Sequence, residues 1–272
     1  MPCHFHVPET VADALRISRE LQGAACFIAG GTEVNNLKAS QAQEHLVWLG
    51  RLGLDRITRQ EAGVSIGAMA TLQEILESQV VHPAIHQAAS NHTNRNIRNV
   101  ATLGGHIGVC RSCADLIPVL LALRARLRVA TDSGELARDL EHWVLGERDG
   151  LVLAVEVPDP PGDLRVAIEH HSRTANDLSL LTVATSFRCQ ADSVQGAIVA
   201  VGGVAASVVR LRALETALNG RSLPERNEIE ALAAAEMDPI ADIRGSAAFK
   251  RHVAATLVEK ALRRAWMTEE NR

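Results

Sequence analysis

The sequence predicts an α+β protein in two parts, a mixed first part and a second part built from an antiparallel sheet and helices. Three observations carry this. Asp159-Pro160-Pro161-Gly162-Asp163 interrupts the chain, because two prolines and a glycine continue neither a helix nor a central strand. Before that break, helical and strand-like patterns alternate. After it, strand patterns come first and helical patterns follow, the order expected of an antiparallel sheet with helices on one face. The first part is therefore taken as residues 1–160 and the second as residues 164–272.

Thr10 to Leu21 carries Val11, Ala14, Leu15 and Leu21 at helical spacing, and the apolar run Cys26 to Ala29 after it reads as a strand. His45 to Leu49 is a second apolar run, and Val64 to Ala68 alternates like a strand. Thr71-Leu72-Gln73-Glu74 is a capping box that opens a helix through Ser78, and Pro83 to Asn91 reads as a further helix. Leu116 to Leu123 has the composition of a buried helix, and Leu127–Ala130 and Leu151–Val157 that of strands. Beyond the break, strands are expected at Val166–His170, Leu181–Cys189 and Ala197–Val201. Helices are expected at Leu211–Leu218, Ile229–Glu236 and Ala247–Trp266.

Composition removes several function classes. The 28 basic and 32 acidic residues are interspersed, so there is no basic footprint for nucleic acid or anionic lipid. Aromatic residues make up 3% of the chain and tyrosine is absent, which leaves no stacking platform for single-stranded nucleic acid. The longest apolar run, Leu116 to Leu123, is far too short for a bilayer span, and MPCHFHVPET lacks a basic-then-apolar signal pattern. A cytoplasmic protein is expected. Five cysteines, Cys3, Cys26, Cys110, Cys113 and Cys189, are an odd set that fits thiols better than a disulfide framework.

Two short segments are built alike: Ala29-Gly30-Gly31-Thr32-Glu33-Val34 and Ala101-Thr102-Leu103-Gly104-Gly105-His106-Ile107. Adjacent glycines let the backbone approach an anion and aim successive N–H groups at it, and a threonine hydroxyl adds a donor without bulk. Glycine pairs also make plain strand-to-helix turns, and a single pair favours that reading. Together the two segments suggest the walls of one diphosphate site and hence a nucleotide cofactor. Neither completes G-x-G-x-x-G, and no G-x-x-x-x-G-K-[ST] run exists. Arg95 and Arg98, upstream of the second segment, are placed to offset phosphate charge or simply to end a solvated helix.

Asp115 precedes the apolar helix containing Pro118, where a carboxylate either accepts hydrogen bonds from a cofactor or caps the helix beside it. Cys110-Arg111-Ser112-Cys113 has metal or redox spacing, but a structural zinc site needs a second pair of ligands, so no metal site is assigned. His170 and His171 end an expected strand and read as packing or surface residues. No Ser/His/Asp set, paired-carboxylate motif or H-E-x-x-H is legible, so no catalytic side chain is assigned and the chemistry belongs to the cofactor.

Phe27-Ile28-Ala29-Gly30-Gly31-Thr32-Glu33, Ile97-Arg98-Asn99-Val100-Ala101-Thr102-Leu103-Gly104-Gly105-His106-Ile107 and Ala114-Asp115-Leu116 with Pro118 resemble the FAD-binding medium subunits of molybdenum hydroxylases, the xanthine dehydrogenase and carbon monoxide dehydrogenase flavoprotein type. Ser172-Arg173, Gly202-Gly203-Val204-Ala205 with Val209-Arg210, and Asp242 to Arg251 resemble the C-terminal domain of the same family. The resemblance implies a two-lobed FAD-binding domain of the vanillyl-alcohol-oxidase (PCMH) type, with lobes of about 1–55 and 56–160, followed by the C-terminal α+β domain. It implies non-covalent FAD, with Ala29, Gly30, Gly31, Thr32, Glu33, Val34, Thr102, Gly104, Gly105, His106 and Ile107 around the diphosphate and ribityl chain, and Asp115 on the flavin side.

The implied activity is that of an oxidoreductase component, passing electrons from iron–sulfur clusters through FAD to NAD or another acceptor. The clusters and the molybdenum cofactor would reside on a small iron–sulfur and a large molybdopterin-binding subunit, since this chain lacks cysteines for clusters. Two other readings share the fold: an assembly or scaffold protein that has lost flavin, and a standalone FAD oxidoreductase. The chain departs from the family pattern at His106, where asparagine or aspartate is frequent, at apolar Ser179-Leu180-Leu181, where xanthine dehydrogenases carry a lysine near the flavin, and at the two cysteines of the 109–113 loop.

Overall fold

The computed structural model describes residues 4–35, 44–174 and 177–267, which leaves Cys3 outside the described residues. Two compact units emerge, and the chain passes between them more than once. The first comprises 1–81, 94–109 and 125–157, and the second 82–93, 110–124 and 158–272.

In the first unit, Val11–Glu20 forms a helix capped by Thr10, whose hydroxyl accepts from Asp13 N at 3.1 Å. An N-cap of this kind satisfies one of the amides that the first helical turn leaves without a partner. The helix packs beside a parallel sheet ordered His4–His6, His45–Trp48, Ala25–Ile28. Ala14, Val47 and Leu49 form its core with Ala130, Leu151 and Leu153, so the small sheet shares apolar contacts with the larger sheet of the same unit. That second sheet runs Ile57–Gln60, Gly63–Gly67, Leu151–Pro158, Arg126–Thr131, Gly134–Asp139. The Thr71 capping box is fully formed: Thr71 Oγ1 accepts from Glu74 N, and Glu74 Oε2 accepts from Thr71 N at 2.8 Å. It opens the helix Leu72–Glu77.

The second unit is organised by an antiparallel sheet ordered Val209–Arg210, Ser193–Gly202, Leu181–Gln190, Leu164–His171. Leu181, Val183 and Phe187 point to one face, where Ala254, Val258 and Leu262 of the long helix Ala247–Met267 cover them. The helices expected after the break therefore lie where an α+β arrangement puts them. Alternate residues of the same strand face the other way, as the pleat requires, and meet a different element: Ser186 Oγ donates to Ala122 O at 2.6 Å. The helix Leu116–Ala122, apolar on all sides and buried throughout, covers that face together with Pro83–Asn91. Both helices come from the part of the chain before the break.

The Gly202-Gly203 pair is explained by crowding within this unit. A Cβ on Gly202 would lie 3.0 Å from Ser112 O, and one on Gly203 would lie 2.1 Å from Leu180 O. Gly203 N donates to Ser112 O at 2.7 Å, which ties the Cys110–Cys113 loop to the sheet.

Candidate cofactor site

The two glycine segments meet inside the first unit. A Cβ on Gly30 would lie 1.6 Å from Val100 O and 2.6 Å from Val100 C, so the strand-end loop crosses the backbone leading into the second segment at a spacing only glycine permits. Gly31 follows at φ +70°, the left-handed conformation that reverses the chain, and the turn closes with Asn35 N donating to Gly31 O at 3.0 Å. Among the described residues, no intramolecular acceptor meets the amides of Gly30, Gly31, Thr32 or Val34, and the Thr32 side chain is exposed. This is a set of donors and a hydroxyl held around a chain reversal, the geometry by which backbone solvates an anion.

The second segment differs from its sequence expectation as a loop. Leu103–Val109 is a helix, and its glycines lie within it. Its first amides are all engaged: Leu103 N donates to Ala70 O, Gly104 N to Ala68 O at 2.7 Å, Gly105 N to Thr102 Oγ1 at 3.1 Å, and His106 N to Thr102 O. Thr102 is thus the cap of this helix, and it also pairs with Thr71 in an isolated bridge. A Cβ on Gly104 would lie 2.7 Å from both Ala68 Cβ and Ala68 O, so Gly104 is needed for packing. Gly105 and His106 are partly exposed, whereas Ile107 is buried and its carbonyl accepts from Trp143 Nε1 at 3.3 Å. The segment therefore offers a low, glycine-paved surface, while its backbone donors are already used. Upstream, Arg95 pairs with Glu77 at 3.4 Å and Arg98 Nε donates to Gln73 Oε1 at 3.2 Å, so both are engaged with the Leu72–Glu77 helix.

These residues fit a dinucleotide. The donor chemistry is what an anionic diphosphate needs: the amides of Gly31, Thr32 and Val34 meet no acceptor among the described residues, the Thr32 side chain is exposed, and only glycine fits position 30, where a Cβ would meet Val100 O. Residues 1–160 match the family model described as the FAD binding domain in molybdopterin dehydrogenase, and residues 167–265 match the CO dehydrogenase flavoprotein C-terminal domain. The chain belongs to the molybdopterin dehydrogenase flavoproteins. This FAD-binding flavoprotein is 30% identical over 254 residues to protein YgfM of Escherichia coli K12, with 93% of each chain covered. It is 26% identical to the carbon monoxide dehydrogenase medium chain of Hydrogenophaga pseudoflava, with 96% of each chain covered. A solved carbon monoxide dehydrogenase from the same organism, lacking the Mo-pyranopterin moiety of its molybdenum cofactor, superposes with a TM-score of 0.90 at 26% identity over 98% of both chains.

Asp115 lies in the second unit of the flavoprotein, at the start of Leu116–Ala122, but it does not cap that helix. Its backbone is helical (φ −77°, ψ −41°) and its side chain makes no cap hydrogen bond. Instead the buried carboxylate sits in a polar cluster that the sequence did not reveal. Asp115 Oδ2 is 2.7 Å from His92 Nδ1, and Oδ1 accepts from Thr182 Oγ1 at 3.3 Å and lies 3.6 Å from His170 Nδ1. Ser179 Oγ is 2.8 Å from Thr182 Oγ1 and 3.3 Å from His170 Nδ1. Burial holds the His170 imidazole below its usual range; Asp115 pulls it up and His171 pushes it further down.

Ser179, His170 and Asp115 do not make a hydrolytic relay, because one imidazole nitrogen faces both the hydroxyl and the carboxylate, where a relay needs opposite nitrogens. Cys110 and Cys113 are thiols with no disulfide between them, and Arg244 Nη1 reaches both Cys113 Sγ at 3.7 Å and Ser179 O at 3.3 Å. Among the described residues, no helix is long and apolar enough to cross a membrane.

Proposed function

We propose that this chain is the electron-transferring flavoprotein subunit of a xanthine-dehydrogenase-like molybdenum hydroxylase. It works in the cytoplasm with a molybdopterin-binding large subunit and an iron–sulfur small subunit. The observation that carries the reading is the crossing of Gly30 over Val100, which sets the two glycine segments side by side. Bound FAD supplies the exchange between the one-electron iron–sulfur clusters of a partner and an acceptor, NAD or another oxidant.

The chain's own residues bind and orient that cofactor without a covalent tether. Ala29, Gly30, Gly31, Thr32, Glu33 and Val34 present backbone donors and the Thr32 hydroxyl to the diphosphate. Thr102 holds the Leu103–Val109 helix, Gly104 lets it seat on Ala68, and Gly105 leaves room for the cofactor, with His106 and Ile107 continuing that wall. Asp115 serves the flavin side. Residues 1–160 form the FAD-binding domain and 164–272 the C-terminal domain, a division supported by the extents of the two family models.

The test is a visible absorption spectrum of the purified protein after addition of FAD and desalting. A retained flavin spectrum, released by acid or heat, is expected. Absence of flavin both from the isolated chain and from the chain purified with its partner subunits would falsify the reading.

A further inference from the structure

We propose that Cys110 and Cys113 form a thiol–disulfide exchange site, which closes into a reversible intramolecular disulfide by reaction with a low-molecular-weight disulfide such as that of glutathione. Both cysteines belong to the second unit, and the inference does not depend on bound FAD.

Cys110-Arg111-Ser112-Cys113 has a spacing that metal sites and redox dithiols share. Among the described residues, no three histidine, cysteine or acidic side chains gather into a group able to hold a metal ion, which leaves thiol chemistry as what the spacing offers. Both sulfurs are reduced, and they differ in access: Cys113 is partly exposed, whereas Cys110 is only 5% exposed. An exchange pair needs that asymmetry. A disulfide arriving from solution meets the outer sulfur first, and the inner sulfur, shielded from solution, resolves the mixed disulfide from three residues away.

The loop that carries the pair is held in place. Ala114 N donates to Arg111 O at 3.1 Å, which folds residues 111–114 into a turn. Gly203 N donates to Ser112 O and binds that turn to the sheet, and a Cβ on Gly202 would lie 3.0 Å from the same oxygen, so the sheet glycines make room for the loop. Arg244 Nη1 donates to Ser179 O at 3.3 Å and to Cys113 Sγ at 3.7 Å, which fixes a cation beside the outer sulfur. Glutathione carries carboxylates, so the same guanidinium suits the approach of its disulfide. Cys110 adopts φ +50°, a left-handed conformation that is uncommon for a residue with a side chain. Glycine is the ordinary occupant of such a position, yet this chain keeps an oxidisable side chain there.

The exchange balances without a further reagent. Cys113 Sγ gives up its proton and attacks one sulfur of the oxidant, forming a mixed disulfide and releasing one thiol. Cys110 Sγ then gives up its proton and attacks Cys113 Sγ, releasing the second thiol. Two cysteine thiols are oxidised by two electrons, the oxidant's S–S bond is reduced, and both protons end on the released thiols. Excess reduced glutathione drives the same steps backwards.

The experiment equilibrates the full-length protein with mixtures of reduced and oxidised glutathione, quenches with acid, alkylates, digests with trypsin and reads the peptides by mass spectrometry. Trypsin cuts after Arg111, between the two cysteines, so the reduced protein gives residues 99–111 and 112–124 as separate alkylated peptides, and the disulfide keeps them joined. The joined pair is expected to rise with the oxidised fraction of glutathione and to disappear when reduced glutathione is in excess. In Cys110→Ser the reaction is expected to stop at a glutathione adduct on Cys113, because the resolving sulfur is gone. Alkylation of the native wild-type protein needs no variant to fold, and there Cys113 is expected to react roughly tenfold faster than Cys110. Peptides that stay separate at every ratio, or a wild-type Cys113 adduct that never converts to the joined pair, overturn the proposal. Joined peptides found only in covalent dimers overturn it as well.

Discussion

The segments around Gly30-Gly31 and Gly104-Gly105 look interchangeable in sequence but have different structural jobs. The first is a chain reversal in which glycine is demanded by a backbone crossing and a positive φ, and the amides of Gly30, Gly31, Thr32 and Val34 have no partner among the described residues. The second is the start of a helix whose amides are satisfied by Ala68, Ala70 and Thr102 and whose first glycine is packed against Ala68. A glycine pair therefore does not by itself mean an amide nest. One pair leaves backbone donors without partners, while in the other Gly104 serves packing and only Gly105 leaves open space.

Substitutions separate the two roles. Gly30→Val has the largest expected effect: its Cβ cannot coexist with Val100 O, so the backbone must move, at a cost of about 3 kcal/mol or more, with loss of FAD. Denaturant unfolding and flavin absorbance read both. Gly104→Ala is expected to cost about 1–3 kcal/mol through its clash with Ala68, so its loss of flavin would follow from misfolding of the wall.

Thr71→Ala removes the capping box and is expected to cost about 1 kcal/mol in denaturant titrations while FAD retention is preserved, because Thr71 supports the wall from behind. Gly105→Ala sharpens the comparison most. The new methyl meets only Thr102 Oγ1, at 3.0 Å, and the helix gains propensity, so stability should stay within about 0.5 kcal/mol of wild type. Its FAD affinity is nonetheless expected to fall at least tenfold, measurable by fluorescence titration, if clearance is what Gly105 provides.

The second unit supplies a contrast in pH dependence. His170 and His82 are both held below the usual imidazole range, chiefly by burial. A histidine that binds its proton less tightly when folded favours the unfolded state as it protonates. Stability is thus complete above the unfolded value near pH 6.5 and declines as pH falls through it. Melting temperatures are expected to drop from pH 7.5 to pH 5.5, and His170→Asn is expected to flatten part of that drop.

Much of the fold was legible because local rules agreed with packing. Pro83 at the first helical position, with the His82 side chain accepting from Ala84 N, gives Pro83–Asn91 the bounds its sequence implies. Other elements were hidden for physical reasons. Gly134–Asp139 is a sheet-edge strand with a polar, mostly exposed sequence, so it lacks an apolar alternation. Leu103–Val109 was masked by three glycines, Gly104, Gly105 and Gly108, which normally weaken a helix; the first is required because Ala68 leaves no space for a larger residue at 104.

The glycine crossing was foreshadowed by motif, but the His92–Asp115–His170 cluster was not. Its members come from a helix end, a helix start and a strand end far apart in sequence, and no spacing rule links them. Nor does any local signal show that Pro83–Asn91 and Leu116–Ala122 leave the first part of the chain to cover the second unit's sheet.

The division between a donating loop and a shaping helix is tested most directly by backbone amide exchange, residue by residue, with and without FAD. Gly30, Gly31, Thr32 and Val34 are expected to gain strong protection on binding, while Leu103 to His106, already hydrogen-bonded, change little. Protection gained at 103–106 with none at 30–34 would contradict it.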